Sequence, residues 1–210
     1  RQIIEENWRE FSGQTDSYPE NNNVRIVRLP FSTLKFLNKE KLWEYICSDY
    51  VDGVVNYYNT IKCLPDAAGA HYADGGLAAV CFKRRMGIPF TFTAHSLGAF
   101  KMDNYNVNRA NWRKYEEKYR FSKRLLAERL AILNASKIIA STNNERFFQY
   151  NHKSYRDIID VNDDARFEVV SPGISLDIFD KISRIENEES VIEHIIIAMR
   201  RDLNTERLRL

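Results

Sequence analysis

Short apolar segments alternate with longer segments of helical periodicity along this chain, and this alternation restricts the fold more than any other feature of the sequence. Strand-like segments end near residues 71, 94, 140 and 170. Two neighbouring parallel strands need a long crossover between them, usually a helix. The order of segments therefore predicts an α/β fold, with a doubly wound, mostly parallel sheet and helices on both of its faces.

The other predicted elements follow from the same periodicities. Apolar and polar side chains alternate over residues 23–31, which predicts one more strand. Residues 97–111 are polar, rich in asparagine and without helical periodicity, which predicts an irregular connection. The predicted helices lie at residues 40–58, 75–86, 112–134, 143–150 and 188–203.

The composition is that of a globular protein and argues against several kinds of partner. Of the 210 residues, 44% are hydrophobic and 29% are charged, and the formal net charge is +2. Such a small net charge does not favour nucleic-acid binding. Neither a transmembrane-length apolar run nor a signal peptide is recognisable. Three scattered cysteines without a C-x-x-C pair, Cys47, Cys63 and Cys81, predict reduced thiols in the cytoplasm.

Polar and small residues follow each predicted strand of the sheet. They form four segments, residues 71–76, 95–101, 141–142 and 172–173. In open α/β sheets, ligands bind outside the carboxyl ends of the strands. These four segments are therefore the predicted lining of a binding site.

The stretch TFTAHSLGAF, residues 91–100, resembles the G-x-S-x-G nucleophile elbow of esterases, with Ser96 as the nucleophile. That motif needs a helix directly after the serine, and no helical periodicity follows it. It also needs a downstream histidine, and both His152 and His194 lie in unsuitable contexts. Ala94 further replaces the usual glycine. The sequence therefore favours His95, at the end of a buried strand, as the working residue.

Basic and turn residues near the same edge have two interpretations. HYADGG, residues 71–76, is either a strand–helix turn with Asp74 as the N-cap or a place where backbone N–H groups approach an anion. Arg120 and Arg124 are four residues apart, so they share one face of the predicted helix. Either they neutralise glutamates such as Glu128, or they bind a phosphate, and their spacing does not decide between the two.

Four linked stretches resemble the amino-terminal half of sucrose-phosphate synthases, which are retaining glycosyltransferases with the GT-B fold. These stretches are HYADGGLAA, GIPFTFTAHSLGAFKM, FSKRLLAERLAILNASKIIASTNNERFFQY and FEVVSPGISLDIFD. The resemblance implies two Rossmann-like domains that face a cleft. It also implies transfer of glucose from UDP-glucose to fructose 6-phosphate, with retention and without a cofactor or metal ion.

The resemblance also implies roles for individual residues. His95 matches the family histidine that contacts the transferred glucose, and it is the expected catalytic residue. Lys101 and Arg124 match basic positions around the acceptor phosphate, and Lys39 joins them. The implied substrate-binding residues are Lys39, Tyr72, Asp74, Gly75, Lys101 and Arg124.

The resemblance further predicts that residues 1–210 form a single amino-terminal acceptor domain. The family's first strand with its glycine-rich loop would precede residue 1, and the donor domain would follow residue 210. A fragment of this kind is expected to be inactive alone and to associate through an exposed sheet edge. The alternatives are sucrose synthase or another GT-B enzyme with a different sugar acceptor, and, more remotely, the Ser96 esterase.

Overall fold

The computed structural model describes residues 15–18, 21–30 and 37–173. The chain divides into two compact units, Arg1–Ser171 and Pro172–Leu210, and the elements below belong to the first. No helix in the described part of the chain is long and apolar enough to cross a membrane. The predicted helix at residues 188–203 lies outside the described residues, and the single-domain assignment stays a prediction.

The centre of the first unit is a four-stranded parallel sheet. Its strands, in spatial order, are β3 (Ala68–His71), β4 (Phe90–Thr93), β5 (Lys137–Ala140) and β6 (Phe167–Val169). Each strand lies beside the next one in the chain, in parallel register. The predicted parallel α/β fold is therefore confirmed, with all four strand ends at the same edge.

Helices connect these strands and precede them. The helix α3 (Tyr72–Met86) joins β3 to β4. Between β4 and β5 lie α4 (Gly98–Asn104), α5 (Trp112–Tyr119) and α6 (Phe121–Asn134), and a π-helical turn, Glu145–Gln149, follows β5. Before β3, α1 (Lys39–Tyr45) runs through a second π-helical turn, Ile46–Tyr50, into α2 (Val51–Ile61).

Two predictions of secondary structure between β4 and β5 are wrong. The connection predicted to be irregular contains α4, which begins two residues after Ser96. The predicted single helix over residues 112–134 is two helices, because Arg120 has a left-handed backbone, with a φ of 49°. Arg120 and Arg124 therefore do not share the face of one continuous helix.

The strand predicted at residues 23–31 also forms, but outside the main sheet. Strand β2 (Asn21–Val27) pairs antiparallel with β1 (Thr15–Tyr18) in a two-stranded sheet. Two of its apolar side chains are exposed, Val24 at 42% and Ile26 at 44%. Among the described residues β3 has β4 as its partner in the sheet, and association of chains through its other edge stays a prediction.

The two cysteines predicted to be reduced are joined in the structure. Cys47, in the π-helical turn after α1, forms a disulfide with Cys81 of α3, 34 residues away in the chain. Cys63 is free and exposed. The prediction of three reduced thiols is therefore wrong for this pair, because folding brings together residues whose spacing in the sequence gave no signal.

Helix α3 packs closely on α6 and on the sheet at Gly76. A Cβ atom built there would lie 2.7 Å from the Cβ of Ala131 and 2.8 Å from the ring of Phe92. The neighbouring Gly75 is different, since its nearest contact would be an ordinary 3.9 Å from the carbonyl carbon of Ala70. Of these two glycines, only Gly76 is therefore required by packing.

Gly76→Ala is expected to lower the free energy of unfolding by about 1–3 kcal/mol, because the overpacking exceeds the helix-propensity gain of at most ~1 kcal/mol. Gly75→Ala is the matched control, since it has the same propensity gain without the clash. It should be neutral or stabilising in urea unfolding. Equal midpoints for the two variants would contradict the close approach of α3 to its neighbours.

Candidate functional site

Two histidines mark the carboxyl ends of neighbouring strands. His71 is the last residue of β3 and lies opposite Thr93 of β4, and His95 follows two residues later. His95 and Tyr72 both have left-handed backbones, with φ values of 58° and 60°. Such conformations cost about 1 kcal/mol or more for residues other than glycine and cluster at functional sites. The strained residue in TFTAHSLGAF is thus His95.

The rings at this edge contact one another directly. Nδ1 of His71 lies 2.8 Å from Nε2 of His95, within hydrogen-bond distance. The ring of Tyr72 packs on His95 with the centroids 4.6 Å apart. All three side chains are exposed, so the cluster faces solvent and is open to a ligand.

Lys39 belongs to the same cluster although it comes from a distant part of the chain. Its ammonium group lies 2.9 Å from Oδ1 of Asp74 and 5.2 Å from the centroid of the Tyr72 ring. Oδ1 of Asp74 is buried and accepts no hydrogen bond from the described residues, so Lys39 is its charge partner. The structure thus brings together four predicted site residues, namely Lys39, Tyr72, Asp74 and His95.

Gly75 lies in the first turn of α3, which begins at Tyr72 rather than at Gly75 as the sequence predicted. The side chain of Asp74 makes no N-cap hydrogen bond, and His71 is the residue at the N-cap position. Packing does not require a glycine at position 75. Close approach of a ligand to the backbone is another reason why a glycine could be needed at this position. That role is still a prediction.

Arg124 lies under the turn that carries His95, and its guanidinium is held by protein groups. Its Nε donates to Glu128 at 2.9 Å, and Nη2 donates to the carbonyl oxygen of Ser96 at 2.7 Å. Its side chain is 19% exposed, and that of Glu128 is 1% exposed. Of the two interpretations left open by the sequence, neutralisation of Glu128 is therefore what the structure shows for Arg124.

Glu128 is the centre of a buried polar network. Its two carboxylate oxygens accept the N–H of Gly98 at 2.9 and 3.0 Å, and Tyr155 donates its hydroxyl to Oε2. The Tyr155 hydroxyl also accepts the N–H of Ala99 at 3.1 Å. These contacts satisfy the first N–H groups of α4 with the side chains of Glu128 and Tyr155, and so fix the start of α4 beside His95.

Burial governs the ionisation of this network. Desolvation raises the pKa of Glu128, while Arg124, Tyr155 and the Gly98 N–H oppose that shift without cancelling it. Burial also raises the pKa of Tyr155, and the neighbouring Glu128 carboxylate adds to the effect. Sequence reasoning considered Glu128 as a counter-charge but missed Tyr155. A glutamate among the apolar residues of α6 is the available signal for such a network.

Lys101 lies on α4, and its described ammonium contacts are with tyrosine rings. The Nζ atom is 4.4 Å from the centroid of Tyr119 and 5.8 Å from that of Tyr105. Among the described residues it makes no contact with the cluster of Lys39, Tyr72 and His95. Lys101 thus lies on the helix that begins three residues after His95, against the rings of Tyr105 and Tyr119.

The structure also bears on the esterase interpretation. A helix does follow Ser96, contrary to the prediction, which removes one objection to the elbow. The left-handed residue, however, is His95 and not Ser96, whereas the elbow places its serine on the strained turn. The N–H of Gly98, at the start of that helix, is occupied by Glu128. His152 is paired with Asp103 at 3.3 Å and not with Ser96.

Among residues 15–18, 21–30 and 37–173, no group of three or more His, Cys, Asp and Glu side chains is arranged to hold a metal ion.

Comparisons with known proteins agree on the type of domain. A family model described as the sucrose synthase first GT-B domain matches residues 9–197. A probable sucrose-phosphate synthase of Thermosipho melanesiensis is 45% identical over 179 residues, which are 85% of this chain and 41% of the relative. Sucrose synthase 2 of Pisum sativum is 29% identical over 197 residues, which are 82% of this chain and 24% of the relative.

A solved structure shows the same fold. Sucrose-phosphate synthase of Thermosynechococcus elongatus superposes with a TM-score of 0.60 at 20% sequence identity, over 80% of this chain and 36% of that chain. At this identity the likeness establishes the fold. The chain thus spans about two-fifths of the length of the Thermosipho relative.

Proposed function

The chain belongs to the family of the sucrose synthase first GT-B domain, and on that premise we propose that it is the acceptor-binding part of a sucrose-phosphate synthase. The reaction would transfer glucose from UDP-glucose to fructose 6-phosphate, giving sucrose 6-phosphate and UDP with retention. The other half of the cleft would be a carboxyl-terminal donor domain. We expect these 210 residues to be inactive alone, because the donor would bind mainly to that second domain.

One observation carries the proposal more than any other. Lys39, Tyr72 and His95 come from separate parts of the chain and meet at the carboxyl edge of the sheet. An exposed aromatic ring, a histidine and a cation together suit a sugar phosphate, since the ring offers an apolar face and the lysine a charge for the phosphate. The proposed role of His95 is contact with the transferred glucose.

The phosphate of the acceptor would bind to lysines rather than to Arg124. Arg124 already donates to Glu128 and to the Ser96 carbonyl. Lys39 is 52% exposed and pairs with the partly exposed side chain of Asp74, so a phosphate competes with a weak ion pair. Lys101 has only aromatic contacts among the described residues. Arg124 would then support the turn below the phosphate through the Ser96 carbonyl, without contacting the ligand itself.

Calorimetry of this chain should show tighter binding of fructose 6-phosphate than of fructose. Lys39→Ala and Lys101→Ala should each weaken fructose 6-phosphate binding about tenfold, or about 1.4 kcal/mol, by removing a charge-assisted contact. Lys153→Ala, which removes an exposed lysine from the segment after the π-helical turn at residues 145–149, is the control and should change nothing.

Two outcomes would contradict the phosphate assignment. Equal affinities for fructose and fructose 6-phosphate would favour the second candidate, a sucrose synthase that uses the free sugar. The similarity to sucrose synthase 2 of Pisum sativum is the observation that supports this candidate. Unchanged affinity in both lysine variants would place the phosphate elsewhere. We further propose that the protein acts in the cytoplasm without a cofactor, nucleic acid or membrane.

A further inference from the structure

We propose that His71 is a positioning residue that holds the ring of His95 in one orientation and one tautomer. His71 lies in the predicted lining of the site, but the resemblance implied no role for it, and it acts here through His95 alone. The consequence for glucose transfer rests on the proposed function, whereas the positioning itself is a property of the free chain.

The geometry of the two rings is that of an in-plane hydrogen bond. The nitrogens are 2.8 Å apart, the centroids are 5.1 Å apart, and the ring planes differ by 19°. Nearly coplanar rings joined edge to edge at that separation direct the N–H of one ring at the lone pair of the other. Face-to-face stacking would bring the centroids closer together than this.

Such a bond couples the tautomers of the two rings. In a neutral imidazole one nitrogen is a donor and the other an acceptor, and a hydrogen bond at one nitrogen decides the state of the other. If His71 donates, His95 carries its proton on Nδ1, whereas if His95 donates, its Nδ1 is an acceptor. Either way, the bond at Nε2 determines what Nδ1 of His95 offers to a sugar hydroxyl.

The backbone places the rings so that this bond can form at an exposed site. His95 has a left-handed backbone two residues after the end of β4, and Tyr72, also left-handed, packs on the ring of His95. Water competes with hydrogen bonds between exposed groups, so pre-placement of the rings is needed to keep this one. A His95 ring that is already restrained needs little reorientation when a substrate binds.

A purely structural role for His71 is disfavoured by its environment. His71 is the last residue of β3, an edge strand of the described sheet, and its side chain is exposed. Removal of this side chain therefore leaves no cavity in the core. Substitution at this position should therefore leave the fold intact and change His95 specifically. This separates positioning from general destabilisation.

The test is long-range ¹H–¹⁵N correlation NMR of the histidine rings in this chain, without ligand, at about pH 8.5, where imidazoles are ordinarily neutral. The chain has four histidines, so the signals can be assigned by single substitutions. In the unsubstituted chain, the ring of His95 should be in one tautomer, with the two nitrogen shifts far apart. In His71→Ala the minor tautomer should rise at least about threefold, because the hydrogen bond is lost.

Two more variants complete the design. Asparagine can place an amide group near the position of Nδ1 of histidine, so His71→Asn should restore a hydrogen bond at Nε2 of His95 and shift the tautomer ratio back towards that of the unsubstituted chain. His71→Gln, whose amide lies one methylene farther out, should not. His152→Ala is the control for a distant histidine. If His71→Ala does not fold, the tautomer ratio of His95 is compared between His71→Asn and His71→Gln instead.

A tautomeric mixture for His95 in the unsubstituted chain, or the same tautomer in every variant at position 71, would overturn the proposal. Because no ligand is present, this failure is distinct from a failure of the proposed acceptor. In the full-length enzyme, His71→Ala should lower kcat more than it raises the KM for the acceptor, and His71→Asn should recover kcat.

Discussion

Glu128→Ala is expected to lower the free energy of unfolding by about 3–5 kcal/mol, the usual result of removing one partner of a buried ion pair. The substitution leaves the Arg124 guanidinium without its carboxylate, and it leaves the N–H of Gly98 and the hydroxyl of Tyr155 without their acceptor. It also removes the cap on α4 next to His95. Urea unfolding followed by tryptophan fluorescence measures the effect.

Glu128→Gln is the matched variant, because the amide keeps the shape and one acceptor oxygen. It should cost less than the alanine substitution, since Gly98 or Tyr155 keeps a partner. A loss below about 1 kcal/mol for Glu128→Ala would contradict the buried network, because each orphaned buried group alone costs about that much. Leu126→Ala, at an exposed position of the same helix, controls for changes in helix propensity.

The stability conferred by Glu128 should depend on pH in a defined direction. Desolvation raises the pKa of Glu128 in the folded chain above its unfolded value, so the folded state binds that proton more tightly. The contribution of this tighter proton binding to the free energy of unfolding is complete below the unfolded carboxyl pKa. It is lost as the pH rises through the raised folded pKa of Glu128. Glu128→Gln should lack this loss. Parallel pH profiles for the two proteins would contradict the shift.

Loss of the Cys47–Cys81 disulfide should lower the free energy of unfolding by about 4 kcal/mol, on the chain-entropy relation for the 34-residue separation of the two cysteines. The bond joins the segment after α1 to α3. Trp43 of α1 and Ile46 of that segment also lie in one buried cluster with Ala73 of α3. Reduction, or the double substitution Cys47→Ser with Cys81→Ser, should therefore shift the urea midpoint downward.

Thiol counting under denaturing, non-reducing conditions tests the bond itself. One reactive thiol, that of Cys63, is expected, and Cys63→Ser should give none. Three reactive thiols in protein purified without reductant would contradict the disulfide. The same bond links the helix of Lys39 to the helix of Asp74, two to three turns from their ion pair. Reduction should then also weaken fructose 6-phosphate binding, if Lys39 contacts the phosphate.

The main sheet could be predicted because its strands have strong local signals. Phe90 and Phe92 are buried apolar residues followed by a polar turn, and the small residues before His71 mark the neighbouring strand. Parallel connection and the location of the candidate site then follow from the order of strands and helices. His95, Tyr72, Asp74 and Lys39 were assigned to one site, and the structure places them in contact.

Several features could not be predicted because their causes lie far away in the chain. Helix α4 is seven residues long and starts with a glycine, so its periodicity is too short to detect. Its first N–H group is satisfied by Glu128, 30 residues later. The break at Arg120 depends on a left-handed backbone, which most residues other than glycine disfavour. The spacing of Arg124 in the sequence likewise fits a phosphate and a glutamate partner equally well, so it could not distinguish them.

By itself, the sequence determined the family, the parallel α/β architecture and the edge of the sheet at which a ligand would bind, because each depends on local periodicity or on motifs of adjacent residues. The tertiary structure decided which side chains meet at that edge. It paired His71 with His95, buried Glu128 against Arg124 and Tyr155, and joined Cys47 to Cys81. These contacts depend on distances between elements, and no local pattern in a single sequence encodes such distances.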